Sequence, residues 1–272
     1  MSQSSRSAIV TLVMGQATER LDHTFLSFAE KNPGIPLHAF ILGDTLPQRR
    51  FPQIQYHLLK SNTDFSDPHR EVYFRRMEVL DELDLDYALT VDCFDVLCLQ
   101  PLPPFEQLLA GAHVGACVER FGSWYILGQG YTSNFLNGGV FLWNVPRSRD
   151  IRSEVIQRGK SYFRNNQDDQ FCLNEVINTK YFDRLRILPV QYNFRAFLGK
   201  RLLAWRNRRW PTVNHLDGVI LYHNTFCISE AKQLKSTKPR ADLPPLPVDG
   251  RPLTKFEKYR RRLQKWLKPR VV

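Results

Sequence analysis

Two aspartates at the end of an apolar stretch are the residues best suited to chemistry. Asp92 and Asp95 follow residues 87–91, whose composition is typical of a β-strand. Open α/β sheets bind ligands at the carboxyl ends of their strands. Two neighbouring carboxylates repel each other unless a positive group lies between them, and a divalent cation carrying phosphate oxygens is a common solution. The structural alternative is that Asp92 caps a turn while Asp95 is simply hydrated.

The elements that must position these carboxylates alternate between strand and helix patterns. Short apolar runs between turn residues predict strands at 8–14, 37–43, 54–59, 87–92, 113–118, 138–143, 186–190 and 218–223. Apolar residues at helical spacing predict a helix that ends at Asn32, a second at 69–83 with Tyr73, Met77 and Leu80 on one face, and a third at 168–178. This alternation predicts a single Rossmann-like α/β domain with a mainly parallel sheet.

The composition is that of an ordinary globular protein. The chain has 272 residues, of which 43% are hydrophobic and 24% charged, so it can bury a full core without disulfides or structural metals. Its five cysteines lie in apolar stretches and include no CxxC pair, which predicts buried, reduced thiols in the cytoplasm. The apolar run 8–14 is at the lower limit for a signal peptide, and a first strand explains it better.

The segment from Leu89 to Leu102, which contains both aspartates, resembles the donor-metal motif of family 8 glycosyltransferases, such as glycogenin and the bacterial lipo-oligosaccharide galactosyltransferases. In that family an apolar strand ends in Asp-x-Asp, followed by an apolar run and Pro-Leu. Here Asp92-Cys-Phe-Asp95 is followed by an apolar run and Pro101-Leu102. The spacing differs by one residue, which leaves open whether both aspartates ligate the metal, with a β-bulge as one way to bring them together.

Further landmarks of the family follow in the same order along about residues 8–225. They are Arg75 on the preceding helix, Asn137-Gly138-Gly139-Val140, Asp169-Gln170 with Asn174, Leu188-Pro189 through Asn193, and Ile220-Leu-Tyr-His223. These landmarks also have interpretations that involve no function. Arg75 is then ordinary surface charge, Asn137-Gly138-Gly139 a turn, Asp169-Gln170 a solvated helix start and His223 a histidine of the core. The ordered combination carries the resemblance.

The resemblance implies a GT-A fold and a metal-dependent, retaining transfer of a hexose from a UDP-sugar. A divalent cation, best matched by Mn²⁺ for mixed oxygen and imidazole ligands, would be held by Asp92, Asp95 and His223. Sugar hydroxyls would be held by Asn137 and Asp169, with Gln170 near the anomeric carbon and Gly138 beside the donor.

The diphosphate would be bound by Arg75 and, in the same resemblance, by a lysine after the histidine. The family's Lys-Pro-Trp is absent, so Lys232, Lys238 or neither takes that role. The uridine-gripping Asp and Tyr after the first strand are also absent, and UDP is therefore implied by the resemblance alone.

The carboxy-terminal region is basic and set apart. We predict a transferase domain at 1–235, a Pro-rich linker at 236–252 and a basic amphipathic helix at 253–272. Residues 251–272 hold nine Lys or Arg and one Glu, out of a net charge of +11. This pattern predicts peripheral contact with the cytoplasmic face of an anionic membrane and a glycan or glycolipid acceptor. Packing of the helix on the core, or nucleic-acid binding, are the alternatives.

Two other classes of function compete with the enzyme. One is a catalytically silent relative that binds a nucleotide or glycan, suggested by the altered aspartate spacing. The other is a basic scaffold or nucleic-acid-binding protein. A collagen-modifying type of glycosyltransferase domain, in which Asp-x-x-Asp also occurs, is a further enzymatic alternative, and the lack of a secretory signal argues against it.

Overall fold

The computed structural model describes residues 5–14, 21, 24–61, 68–126, 130–161, 168–194 and 218–223. The predicted linker and tail, Lys232, Lys238 and the basic cluster at 195–209 lie outside these residues. None of the helices in the described ranges is long and apolar enough to cross a membrane.

The larger sheet has seven strands, which are β1 (Ser7–Met14), β2 (Leu37–Leu42), β3 (Ile54–Leu59), β4 (Tyr87–Val91), β6 (Val114–Ile126), β7 (Gly130–Asn144) and β8 (Leu185–Ile187). Their order in the sheet is β3-β2-β1-β4-β7-β6-β8. Within these strands β7 is antiparallel to β4 and β6, and the remaining neighbours pair in parallel. The mainly parallel α/β sheet predicted from the sequence is confirmed.

A smaller sheet pairs β5 (Val96–Cys98) with β9 (Leu221–His223) in antiparallel register. Its importance is positional, because Val96 lies opposite His223 and the histidine is thereby anchored next to the loop that leaves β4. The backbone N–H of His223 also donates to the carbonyl of Phe194 at 2.9 Å.

Helices cover both faces of the larger sheet. They are α1 (Leu26–Lys31), α2 (Pro68–Glu78), which continues as a 3₁₀ turn at Val79–Glu82, α3 (Phe105–Leu109), α4 (Arg149–Ser161) and α5 (Asp168–Lys180). Consecutive residues of a strand point to opposite faces, and so Val10 packs with α2, α4 and α5 while Ile9 packs with α1 and α3. The result is a three-layer domain with two apolar cores.

Candidate active site

The first part of the site forms where β4 ends beside β7. Asp92 directly follows β4, and its backbone N–H donates to the carbonyl of Gly139 at 2.8 Å. A Cβ on Gly139 would lie 2.2 Å from Cε1 of His223 and 2.6 Å from Oδ2 of Asp92. The absence of a side chain at Gly139 therefore leaves the space in which Asp92 and His223 meet.

Asp92 and His223 are close enough to share a cation. Oδ2 of Asp92 lies 3.8 Å from Nε2 of His223, which is too long for a hydrogen bond but short enough for both atoms to reach one ion at about 2.1 Å each. His223 is buried at 3% exposure. Carboxylate oxygen and imidazole nitrogen form a donor set that Mn²⁺ accepts, so these two residues fit the predicted metal.

Asp95 is placed differently from the prediction of a three-residue metal cluster. Residues 93–95 form a turn between β4 and β5 instead of a bulge, so Asp95 lies further along the loop. Within the described ranges no three His, Cys, Asp or Glu side chains come together as a metal-binding group. Asp95 does line the cavity beside Asp92, and its metal role stays a prediction.

Arg76, and not Arg75, reaches the site from α2. The guanidinium of Arg76 pairs with Asp92, donates to the carbonyl of Gly138 at 2.8 Å and lies 3.7 Å from Asp169. Arg75 instead donates to the carbonyl of Lys60 at 2.5 Å and to Glu71 at 2.7 Å. Adjacent helical residues point about 100° apart, and Arg76 occupies the face that Tyr73 and Met77 share. The structure therefore places Arg76, and not the predicted Arg75, beside Asp92 and Asp169.

The electrostatics of the site keep Arg76 charged. Burial alone would lower the pKa of Arg76, but the carboxylates of Asp92 and Asp169 outweigh burial and raise it. Its Nε is buried without a hydrogen-bond partner among the described residues. Burial, together with Asp169 and Asp92, raises the pKa of Tyr73, which keeps that phenol protonated. Burial next to Asp92 likewise raises the pKa of Cys93 and makes it an inert thiol.

The second part of the site gathers polar side chains from β6, β7 and the start of α5. The amide of Gln170 accepts from the backbone N–H of Gly138 at 3.0 Å and donates to Glu119 at 2.5 Å. Asn137 donates to the same carboxylate at 3.3 Å. Asp169, 7% exposed, faces Arg76 from the first turn of α5, where the helix dipole favours a negative charge. Four of the predicted residues are thus brought together: Asn137, Gly138, Asp169 and Gln170.

Glu119 was missed by the sequence analysis, although a signal was present. It directly follows the apolar run predicted as the strand 113–118, just as Asp92 follows its own strand. Register shifts in β6 on both sides of this position, between Ala116 and Val118 and between Val118 and Arg120, mark an irregular segment. Such irregularities re-aim side chains next to functional sites.

A cavity of about 270 Å³ opens beside these groups. Its apolar wall includes Val13 and Phe94, and its polar wall includes Tyr73, Arg76 and Asp95. It lies at the carboxyl ends of β1 and β4, which is where open α/β sheets bind their ligands. The predicted location of the site is therefore matched by a concave surface that holds both carboxylates of the motif.

Comparison with solved structures identifies the fold as that of GT-A glycosyltransferases. The bifunctional glycosyltransferase WbbM is 12% identical with a TM-score of 0.56, over 82% of this chain and 46% of WbbM. Mouse xyloside xylosyltransferase 1 is 12% identical with a TM-score of 0.52, over 81% of this chain and 98% of that enzyme. Galactosyltransferase LgtC, crystallised with donor and acceptor sugar analogues, is 18% identical with a TM-score of 0.54, over 85% and 97% of the two chains.

These similarities are structural, and the chain spans less than half the length of WbbM. No protein-family model matches the chain, and no curated protein matches it significantly in sequence. The GT-A fold implied by the sequence resemblance to family 8 enzymes is confirmed.

Proposed function

We propose that this protein is a metal-dependent, retaining glycosyltransferase that moves a hexose from a UDP-sugar to a glycan or glycolipid. The observation that carries the proposal is that Asp92, His223 and Arg76 lie against a second polar group, Asn137, Asp169 and Gln170, beside a cavity that Asp92 and Arg76 line. The first group suits a cation and a diphosphate, and the second suits sugar hydroxyls. Both lie in a fold shared with glycosyltransferases.

The reaction requires the site to neutralise the negative charge that builds on the leaving diphosphate. The bond between the sugar C1 and the diphosphate oxygen breaks, the acceptor oxygen bonds to C1, and the acceptor's proton leaves with the diphosphate. A divalent cation held by Asp92 and His223 would neutralise the negative charge that builds on the diphosphate. Arg76 adds a fixed positive charge in the same place, and its unpartnered Nε is suited to donate to a phosphate oxygen.

The sugar gains positive, oxocarbenium-like character as its bond breaks. Asp169 would supply a buried negative charge to stabilise that character, and Asn137 would supply an amide for the sugar hydroxyls. Gln170 is a poor nucleophile because its carboxamide is neutral and is held by Gly138 and Glu119. Attack by the acceptor on the face that the diphosphate leaves is therefore the route to retention that we favour.

The test is release of UDP from a panel of UDP-sugars. The wild type should release UDP from at least one donor with Mn²⁺ and not with EDTA, and Asp92→Asn and Asp95→Ala should each abolish release. Asp183→Asn, which alters an exposed carboxylate, is the control and should match the wild type. Retention predicts an α-linked product from an α-linked donor, read by ¹H NMR. No release from any donor, combined with no UDP binding by calorimetry, would contradict the proposal.

The acceptor and location are proposed from the basic tail. Lys and Arg contribute about 1 kcal/mol each near an anionic leaflet, and Phe256 and Trp266 can insert beside them. We therefore expect the full chain to sediment with vesicles containing phosphatidylserine and not with phosphatidylcholine alone. Replacing Phe256 and Trp266 by serine should weaken this binding. Equal sedimentation with both vesicles would contradict membrane contact at the cytoplasmic face.

A further inference from the structure

A chain of hydrogen bonds through two buried amide side chains joins the two halves of the site. It runs from Glu119 through Asn137 and Asn193 to His223. Asn137, Asn193 and His223 are 2%, 5% and 3% exposed, respectively. Asn193 sits at the end of a 3₁₀ turn at Val190–Tyr192 and has no place in the reaction described above.

The direction of these hydrogen bonds follows from one backbone group. The N–H of Gly139 can only donate, and it lies 2.9 Å from Oδ1 of Asn137, which must therefore be the carbonyl oxygen. The same oxygen lies 2.8 Å from the amide of Asn193. Because an oxygen accepts, the facing atom of Asn193 must be its nitrogen, Nδ2.

The orientation of Asn193 then determines the tautomer of His223. With Nδ2 directed to Asn137, the carbonyl oxygen Oδ1 of Asn193 faces Nδ1 of His223 at 2.8 Å. An amide oxygen only accepts, so Nδ1 carries the proton. In the neutral ring the lone pair is then on Nε2, which is the nitrogen 3.8 Å from Asp92.

We propose that Asn193 is a positioning residue that holds His223 in the Nδ1–H tautomer and aims Nε2 at the cation. Metal-ligating histidines depend on such a partner at the other ring nitrogen, and its loss commonly reduces metal affinity 10- to 100-fold. Asn193 also donates to Asn137, so the cation ligand and the sugar-binding amide share one support. The role in cation binding rests on the proposed function, whereas the tautomer is a property of the metal-free chain.

The tautomer can be measured without a metal or a substrate. Protein labelled with ¹⁵N-histidine is examined by NMR at pH 8, where an ordinary imidazole is neutral, and His223→Gln identifies the signal. The wild type should show protonated Nδ1 and unprotonated Nε2. Asn193→Leu removes the acceptor at similar volume and should give a mixture of tautomers. Asn193→Asp keeps an acceptor and should keep the wild-type tautomer.

Cation binding is measured by titrating the same proteins with Mn²⁺ alone, followed by electron paramagnetic resonance. Asn193→Leu should weaken Mn²⁺ binding at least tenfold, and Asn193→Asp should weaken it less. Asn32→Leu is the control, since Asn32 is another buried amide whose partners, Phe28, Cys98 and Leu102, include neither candidate cation ligand. It should bind Mn²⁺ as the wild type does.

The outcomes separate this inference from the proposed function. An Nε2–H tautomer in the wild type, or unchanged Mn²⁺ affinity in a folded Asn193→Leu, would overturn the positioning role. The wild-type spectrum alone decides the tautomer if Asn193→Leu does not fold. Wild-type protein that binds Mn²⁺ with the expected tautomer, but neither releases UDP from any donor nor binds UDP, would instead overturn the proposed function.

Discussion

Replacing Gly139 by alanine places a methyl group where the structure has no room for one. The new Cβ would lie 2.2 Å from Cε1 and 2.9 Å from Nε2 of His223, and 2.6 Å from Oδ2 of Asp92. These neighbours are the two candidate cation ligands. Asp92 is hydrogen-bonded to Arg76, and His223 is hydrogen-bonded to Asn193. Relief of the steric clash therefore requires the two candidate ligands to move apart.

The size of the effect follows from these distances. An unstrained contact needs about 3.5 Å, so His223 must shift by roughly 1.3 Å. A misplacement of about 1 Å costs on the order of 100-fold in rate, and overpacking a close-packed interior costs about 1–3 kcal/mol of stability. We expect Gly139→Ala to fold, to lose that stability and to bind Mn²⁺ and release UDP about 100-fold less well.

The assay compares Mn²⁺ affinity, UDP release and thermal unfolding in Gly139→Ala and in a matched strand variant. Gly115→Ala in β6 places its Cβ 3.0 Å from the end of Leu109 and 3.3 Å from Leu188, both flexible side chains. It should lose comparable stability while keeping Mn²⁺ affinity. Wild-type Mn²⁺ affinity in a folded Gly139→Ala would refute the reasoning, because it would mean that neither ligand needs its observed position.

Three further predictions concern titratable and charged side chains, two of them in the site and one in β2. Arg76→Gln should weaken UDP binding at least tenfold and lower stability, because it removes a buried guanidinium that pairs with Asp92 and Asp169. Arg75→Gln should change calorimetric UDP affinity less than threefold. Gln170→Glu should reduce UDP release more than tenfold by placing a second carboxylate against Glu119. Adding Glu119→Gln should restore part of the lost UDP release, and no recovery in the double variant would exclude repulsion between residues 170 and 119 as the cause. Burial and a neighbouring histidine lower the pKa of His38 to about 4. Between about pH 6.5 and 4 the unfolded chain therefore binds more protons than the folded chain, and the free energy of unfolding falls as the pH drops through that window, by on the order of 2–3 kcal/mol. Urea unfolding should show a smaller loss of stability over this range in His38→Gln.

Much of the fold could be predicted from local patterns. Apolar runs bounded by turn residues specify strands directly, and β1, β2, β3 and β4 are observed within one residue of their predicted ranges. The helices α3 and α4 were not predicted. The sheet order was also beyond the sequence pattern, because the pairing of β4 with β7 depends on contacts between residues some fifty positions apart.

Asp92 was predicted from the pattern itself, because it directly follows an apolar strand. Asn137, Asp169, Gln170 and His223 were predicted only through the family resemblance, because their proximity to Asp92 depends on pairings between distant parts of the chain. Arg76 was passed over for its neighbour, although the stripe through Tyr73, Met77 and Leu80 already includes position 76 at helical spacing. Asn193 was noted as a landmark, but only the three-dimensional network shows what it contacts.

The most direct test of the account is the position of the metal. Crystals grown with Mn²⁺ and UDP would be measured at a wavelength where manganese scatters anomalously. We predict one strong anomalous peak between Oδ2 of Asp92 and Nε2 of His223, with the diphosphate of UDP on the same ion and next to Arg76. A peak elsewhere, or UDP bound at this cavity with no peak, would contradict the claim that these residues form a metal-dependent donor site.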